Sequence, residues 1–228
     1  MGKCLFVTGT GTDVGKTYVT ALVVKRLRDS GRNAGYYKAA ISGAEQRPEG
    51  KLWPGDACYV NEIAGLGETW DRLVSYVYPE AVSPHLAAKL RQEPMDFRKV
   101  EEDFLRAKSH YDYLTMEGSG GIVCPLRWDE EEHVVLDDLV KRLGLSVLLV
   151  ADAGLGTING TVLTVSYLRS RQIPVKGIVL NRFHPGDVME EDNLAMVEEM
   201  TGVPVVAKVK EGDETLEMDG AALAALYE

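Results

Sequence analysis

Lys16 and Thr17 close the glycine-rich run Gly9-Thr10-Gly11-Thr12-Asp13-Val14-Gly15, which itself follows the apolar stretch Cys4-Leu5-Phe6-Val7. A glycine-rich turn between a strand and a helix turns backbone N–H groups toward phosphate oxygens, and the helix start adds partial positive charge. In that setting Lys16 reaches the outer phosphates of a nucleotide and the Thr17 hydroxyl ligates Mg2+. The spacing departs from the usual loop by one residue. The pattern G-x-x-x-x-G-K-[ST] puts its first glycine at position 10, where this chain has Thr10 between Gly9 and Gly11. A plain glycine turn before a helix is the competing reading, and the strand–loop–GKT–helix context argues against it. Partition-type ATPases open the loop with a further lysine, as K-G-G-x-G-K-T; here no lysine precedes Lys16 within the loop.

Four more polar residues fall near the ends of apolar runs. Lys38, in GYYKAAISG, closes a second apolar run, with Ser42 just beyond. A second cation there could hold a transferring phosphoryl group, although a solvated lysine is the commoner case. Asp56, in PGDACY, could cap a helix, ligate Mg2+, or do both. Glu117, in YLTMEGSGG, is an acid at the end of an apolar strand and poor core material. Placed opposite Thr17, it completes an oxygen-rich Mg2+ site. Gly118, Gly120 and Gly121 would let backbone approach a ligand. Asn181 follows VKGIVL; its amide can pair with the edge of adenine or serve a turn, with nothing in composition to choose between them. The guanine-selecting N-K-x-D element is absent, since the chain reads NRFH. His85, in VSPHLAA, reads as a surface or capping residue. No Ser-His-Asp arrangement and no Cys/His metal spacing is present.

The elements that must position these groups alternate along the chain. Strands are expected at Lys3–Val7, Ala34–Tyr37, Tyr113–Met116, Ser146–Val150, Val175–Leu180 and Val205–Val209. Helices are expected at Lys16–Asp29, Ala57–Ala64, Pro84–Gln92, Asp96–Ser109, Val134–Leu143, Ile158–Arg171 and Met189–Met200, with a short one at Gly220–Tyr227. Runs such as SVLLVAD are continuously apolar, the mark of strands covered on both faces. Repeated strand–helix–strand order implies a mostly parallel central sheet with helices on both faces and right-handed crossovers. Ligands of such a sheet lie beyond the carboxyl ends of its strands. Glu45–Gly55 reads as a long surface loop.

Composition bounds the function. The chain has 228 residues, 45% hydrophobic and 26% charged, which suits one domain spanning 1–228 with a sizeable core. A net charge of -10 disfavours a generic nucleic-acid binder, which needs a basic face. It leaves a small phosphate ligand open. The apolar core near the start is too short for a signal peptide, and no run approaches the roughly 20 residues that span a membrane. Cys4, Cys58 and Cys124, sparse and far apart, suit reduced thiols and a cytoplasmic location.

The stretches FVTGTGTDVGKT, GYYKAAISG, SPHLAA, EGSGG and GTINGTVLT, in this order, resemble those of the dethiobiotin synthetases, the ATP-dependent enzymes of biotin synthesis. The likeness runs from the start to about Asn181, and the longer phosphate loop resembles that family's own variant. It implies a P-loop NTPase-like α/β domain acting as a cyclo-ligase. A vicinal diamine, 7,8-diaminononanoate, takes up CO2 as a carbamate, ATP phosphorylates the carbamate, and the second amine closes a cyclic urea with release of phosphate.

The resemblance also implies a set of residues. Thr12, Lys16, Lys38 and Ser42 would surround the carbamate and γ-phosphate, with Thr12, Lys16 and Lys38 catalytic. Thr17, Asp56 and Glu117 would hold Mg2+. ATP would meet Asp13, Val14, Gly15, Lys16, Thr17 and Tyr18 on the loop. It would also meet Glu117, Gly118, Ser119 and Gly120 on the strand opposite, and Asn181, Arg182, Val209, Lys210 and Glu211 near the base. Family members resemble homodimers in which Thr157, Ile158 and Asn159, at a helix start from the neighbouring subunit, hold the substrate carboxylate; helix starts suit anions. Two departures stand out. Asp13 lies where glutamate is also familiar, and Lys210 lies where the family often has proline beside the base. Lysine donates hydrogen bonds and accepts none, so modest discrimination among nucleoside triphosphates is expected. The other readings are a P-loop ligase acting on a different carboxylate and a partition-type nucleotide switch.

Overall fold

The computed structural model describes residues 2–48 and 50–228. Seven strands form one sheet in the order β11-β10-β9-β1-β6-β2-β5, and every neighbouring pair is parallel. They are β1 (Lys3–Gly9), β2 (Ala34–Ser42), β5 (Val74–Tyr78), β6 (Tyr113–Gly121), β9 (Val147–Asp152), β10 (Val175–Asn181) and β11 (Val205–Val209). Side chains alternate across a strand, and here both sides are dry. In β1, Leu5 and Val7 join one core with Tyr36, Leu148 and Val150, while Cys4 and Phe6 join the other with Tyr37, Leu114 and Met116. Each such large apolar side chain contributes roughly 1.5–3 kcal/mol relative to exposure. That double burial is why these strands read as unbroken apolar runs.

The first core lies under α1 (Lys16–Asp29), α2 (Gly55–Ile63) and α8 (Gly220–Ala224). The second lies under α3 (Pro84–Arg91), α4 (Phe97–His110) and α5 (Leu136–Arg142). A third packs α6 (Thr157–Ser170) and α7 (Val188–Thr201) against β9 and β10. Among the described residues no helix is long and apolar enough to cross a membrane.

The structure corrects the expected elements at several points. Strands β2 and β6 run on to Ser42 and Gly121, well past Tyr37 and Met116. Lys38 and Glu117 therefore sit inside strands, not at their ends. They are direct partners in the ladder, each cancelling the charge that would otherwise forbid the other there. Strand β5 was not expected; it is the sheet edge, with Val74, Tyr76 and Tyr78 buried and Ser75 and Val77 half-buried, so it lacks a continuous apolar run. The stretch Glu45–Gly55 holds a small hairpin, β3 (Glu45–Gln46) with β4 (Leu52–Trp53), in which the Arg47 guanidinium stacks over the Trp53 ring; Glu49 lies outside the described residues. The helix expected at Val134–Leu143 starts at Leu136, because β8 (His133–Val135) pairs with β7 (Pro125–Trp128). The closing helix is shorter, ending at Ala224.

Candidate active site

The loop after β1 is shaped by positive φ angles at Asp13 (60°) and Gly15 (85°), where Gly15 caps α1. A Cβ on Gly15 would overlap the Asn181 side-chain amide, so the position needs glycine on both counts. Asn181 Nδ2 donates to the Val14 carbonyl at 3.0 Å, and Arg182 donates to the Asp13 carbonyl at 2.8 Å while pairing with Asp152. The end of β10 thus braces the loop. Helix α1 has no side-chain cap and no acid in its first turn. Its first N–H groups stay free, as an anion site requires.

The loop forms one wall of a cleft of about 310 Å³. Thr12, Asp13, Gly15, Lys16, Thr17 and Tyr18 line it from the loop side, Lys38 and Ser42 from β2, Asp56 from α2, and Glu117, Ser119 and Gly120 from β6. Lys38 Nζ lies 2.6 Å from Asp56 Oδ2 and 2.6 Å from Glu117 Oε1. Thr17 Oγ1 donates to the same Glu117 Oε1 at 2.8 Å. Burial works against the Lys38 charge, but Glu117 and Asp56 outweigh it and raise the ammonium above the ordinary lysine range. For Asp56, burial is likewise overcome by Lys38, and the carboxyl is held below its ordinary value. Lys16 donates to the Gly11 carbonyl at 2.9 Å; burial, then the neighbouring Lys38, lower its pKa. Two cations and two carboxylates thus face one cleft.

Asp56 lies in the first turn of α2, whose cap position is taken by Pro54, so its expected capping role falls away. Thr17, Asp56 and Glu117 converge as hard oxygen donors, the set that suits Mg2+. Among the described residues no cluster of three or more His, Cys, Asp or Glu side chains could hold a metal.

Tyr36 was not foreseen. It is fully buried, and its hydroxyl donates to Glu117 Oε2 at 3.2 Å, fixing the second oxygen of that carboxylate. The available signal was its place two residues before Lys38 on one strand, hence on the same face. Ser119 Oγ donates to the Ala40 carbonyl at 2.9 Å and clamps β6 to β2. Gly118 has a packing reason to be glycine: a Cβ there would lie 2.8 Å from both Phe6 and Leu136.

The remaining candidates do not line this cleft. Asn181 is 2% exposed, and its Oδ1 has no hydrogen-bond partner while Nδ2 is engaged. Val209 is buried; Lys210 and Glu211 are exposed and open a turn closed by Lys210 N to Asp213 Oδ2 at 2.8 Å. Tyr18 ties the loop helix to that turn through the Asp213 carbonyl. Thr157, Ile158 and Asn159 begin α6 behind Gly156, which has φ 93°. No side chain caps this helix, and the buried Thr157 Oγ1 has no partner. Leu155 beside it is 92% exposed and Leu163 61%.

A family model described as an AAA domain matches residues 3–217. An ATP-dependent dethiobiotin synthetase BioD of Brachyspira hyodysenteriae is 43% identical over 228 residues, covering all of both chains. Another, from Clostridium botulinum strain Langeland, is 46% identical over 228 residues, covering all of this chain and 99% of the relative. Among solved structures, the MinC:MinD cell division complex of Aquifex aeolicus aligns with TM-score 0.57 at 13% identity, over 99% of this chain and 94% of that one. A ParA family ATPase from Chlorobium tepidum aligns with TM-score 0.54 at 11% identity, over 99% and 92%. At such identities the structural likeness speaks of fold alone.

Proposed function

Since the chain belongs to the ATP-dependent dethiobiotin synthetase family, we propose that its cleft carries out the ring closure of 7,8-diaminononanoate with CO2 and ATP to dethiobiotin. The observation that carries this reading is the meeting of Lys16, Thr17, Lys38, Asp56 and Glu117 in one cleft. A pure nucleotide switch has no need of the second buried lysine.

The reaction divides into three bond changes. One amine of the diamine adds to CO2 and loses a proton, giving a carbamate. A carbamate oxygen attacks the γ-phosphorus, the bond to the bridging oxygen breaks, and ADP leaves. The second amine then attacks the carbonyl carbon and expels phosphate, which departs with the former carbamate oxygen. No step needs a strong covalent nucleophile from the protein. Its work is positioning and charge neutralisation. Lys16 and Lys38 supply preorganised positive charge to the transferring phosphoryl group, and Thr12 and Ser42 orient the carbamate beside it. Thr17, Asp56 and Glu117 would hold Mg2+, which would supply charge neutralisation on the outer phosphates. Dethiobiotin formation followed by mass spectrometry, with ATP, bicarbonate and the diamine omitted in turn, tests this reading. Phosphate release that ignores the diamine would overturn it.

Asn181 would read the base. Its unpartnered Oδ1 accepts from an exocyclic amine, which adenine and cytosine carry and guanine replaces with a carbonyl at that edge. ATP and CTP are therefore expected to lie within about tenfold of each other in kcat/KM, with GTP lower by a further factor of roughly ten, the worth of one unpaired polar contact. Equal use of GTP and ATP on one preparation would remove Asn181 from this role.

The start of α6 would serve a neighbouring subunit of a homodimer. Among the described residues no side chain caps it, and Leu155 and Leu163 beside it are exposed. Equal mixing of Lys16→Ala and Asn159→Ala chains leaves one intact site in each mixed dimer, so activity should recover to about one quarter of wild type from two near-inactive parents. No recovery after demonstrated subunit exchange would show that each site is built within one chain.

A further inference from the structure

We propose that Lys38 is a built-in stand-in for the divalent cation in the nucleotide-free protein, and that metal loading drives its ammonium out from between Asp56 and Glu117 toward the transferring phosphoryl group. The inference rests on the reading of Thr17, Asp56 and Glu117 as the metal donors.

Geometry is the first ground. Both carboxylate donors already meet on a cation, and that cation is Lys38 Nζ. It lies 2.6 Å from one oxygen of each carboxylate, and Thr17 Oγ1 sits 2.8 Å from the same Glu117 oxygen. Mg2+ binds oxygen at about 2.0–2.1 Å. An ion bonded to these same two carboxylate oxygens would fall on the volume that Nζ fills, so one cation must leave for the other to enter.

Charge balance is the second. The Glu117 side chain is fully buried and that of Lys38 is 5% exposed. Without a cation between them, Glu117 and Asp56 would be adjacent like charges at low dielectric, a costly arrangement. With Mg2+ and the ammonium both present, positive charge would be in excess at contact distance. Exchange of one for the other keeps the carboxylates compensated throughout.

The third ground is where each group can go. Glu117 cannot follow the departing lysine, because Tyr36 holds its Oε2 from the buried side. Lys38 can move, since it lines the same cleft as Thr12, Lys16 and Ser42. Its released Nζ reaches the cleft that Lys16 also lines, where the phosphoryl group would replace the carboxylates as its anion. Metal arrival then does more than fill a site: it delivers the second lysine. Nucleotide without metal leaves Lys38 locked on its carboxylates and out of the reaction.

Two measurements test the exchange. In the first, Mn2+ alone is titrated into nucleotide-free protein and free ion is followed by electron paramagnetic resonance. Lys38→Met should bind Mn2+ at least about tenfold more tightly than wild type, because a competing charge is gone; equal affinity overturns the inference. In the second, which needs no variant to fold, wild type carrying 13Cε-labelled lysine is mixed with a non-hydrolysable ATP analogue. The resonance of the carboxylate-paired lysine should stay in place with EDTA and move when Mg2+ is added. Movement without metal, or none with it, overturns the exchange. Failure of wild type to bind Mn2+ even with the analogue would instead overturn the metal-site reading, and the exchange with it.

Discussion

Lys38→Ala lowers kcat by about 10²–10³, the usual loss when one preorganised charge stabiliser is removed, while KM for ATP changes far less. The separation follows from the geometry. Lys38 lies on the floor of the cleft beside Glu117 and Asp56, away from the loop amides that hold the nucleotide. The same change leaves Glu117 buried without its partner, at a cost of about 3–5 kcal/mol in stability. A melting curve must therefore accompany the kinetics, with single-turnover phosphate release measured well below the midpoint. Turnover within a few fold of wild type on folded protein would reduce Lys38 to a structural residue and remove one part of the mechanism.

Lys16→Ala has a comparable effect on turnover, about 10²–10³, with a different signature. Lys16 rests on the Gly11 carbonyl, within the loop itself, and among the described residues forms no ion pair with a carboxylate. If it meets the outer phosphates before and during transfer, its loss should leave the melting temperature nearly unchanged and raise KM for ATP as well as lower kcat. Equilibrium binding of the ATP analogue, compared between the two alanine variants, separates them. Tight analogue binding with unchanged turnover in Lys16→Ala would contradict its placement on the phosphates.

The contrast between these lysines shows what could be read from the chain. Lys16 stands in a recognisable loop pattern, so its place in the cleft was legible. So was the framework: strands buried on both faces leave unbroken apolar runs, and β1, β9 and β10 stood out for that reason. Strand β5 did not, because an edge strand half-open to solvent leaves no such run. Lys38 and Glu117 hid the true lengths of β2 and β6, since charged residues inside a sheet are tolerable only as a pair. Pairing is a property of two distant segments, which no local pattern displays. Tyr36 shared a face with Lys38 two residues on, but its role shows only through Glu117 on another strand. Asp56 was legible as a polar residue beside a helix start, but not as a Lys38 partner. The start of α6 was legible as a helix start behind a glycine; whether it serves a neighbouring subunit depends on a second chain.

The most direct test of the account follows one oxygen. If carbamate oxygen attacks the γ-phosphorus and leaves with phosphate at ring closure, then 18O-labelled bicarbonate, supplied in a turnover faster than its exchange with water, should place one 18O atom in each phosphate released. Phosphate free of label, formed together with dethiobiotin, would show that the carbamate is never phosphorylated and would contradict the mechanism assigned to this cleft.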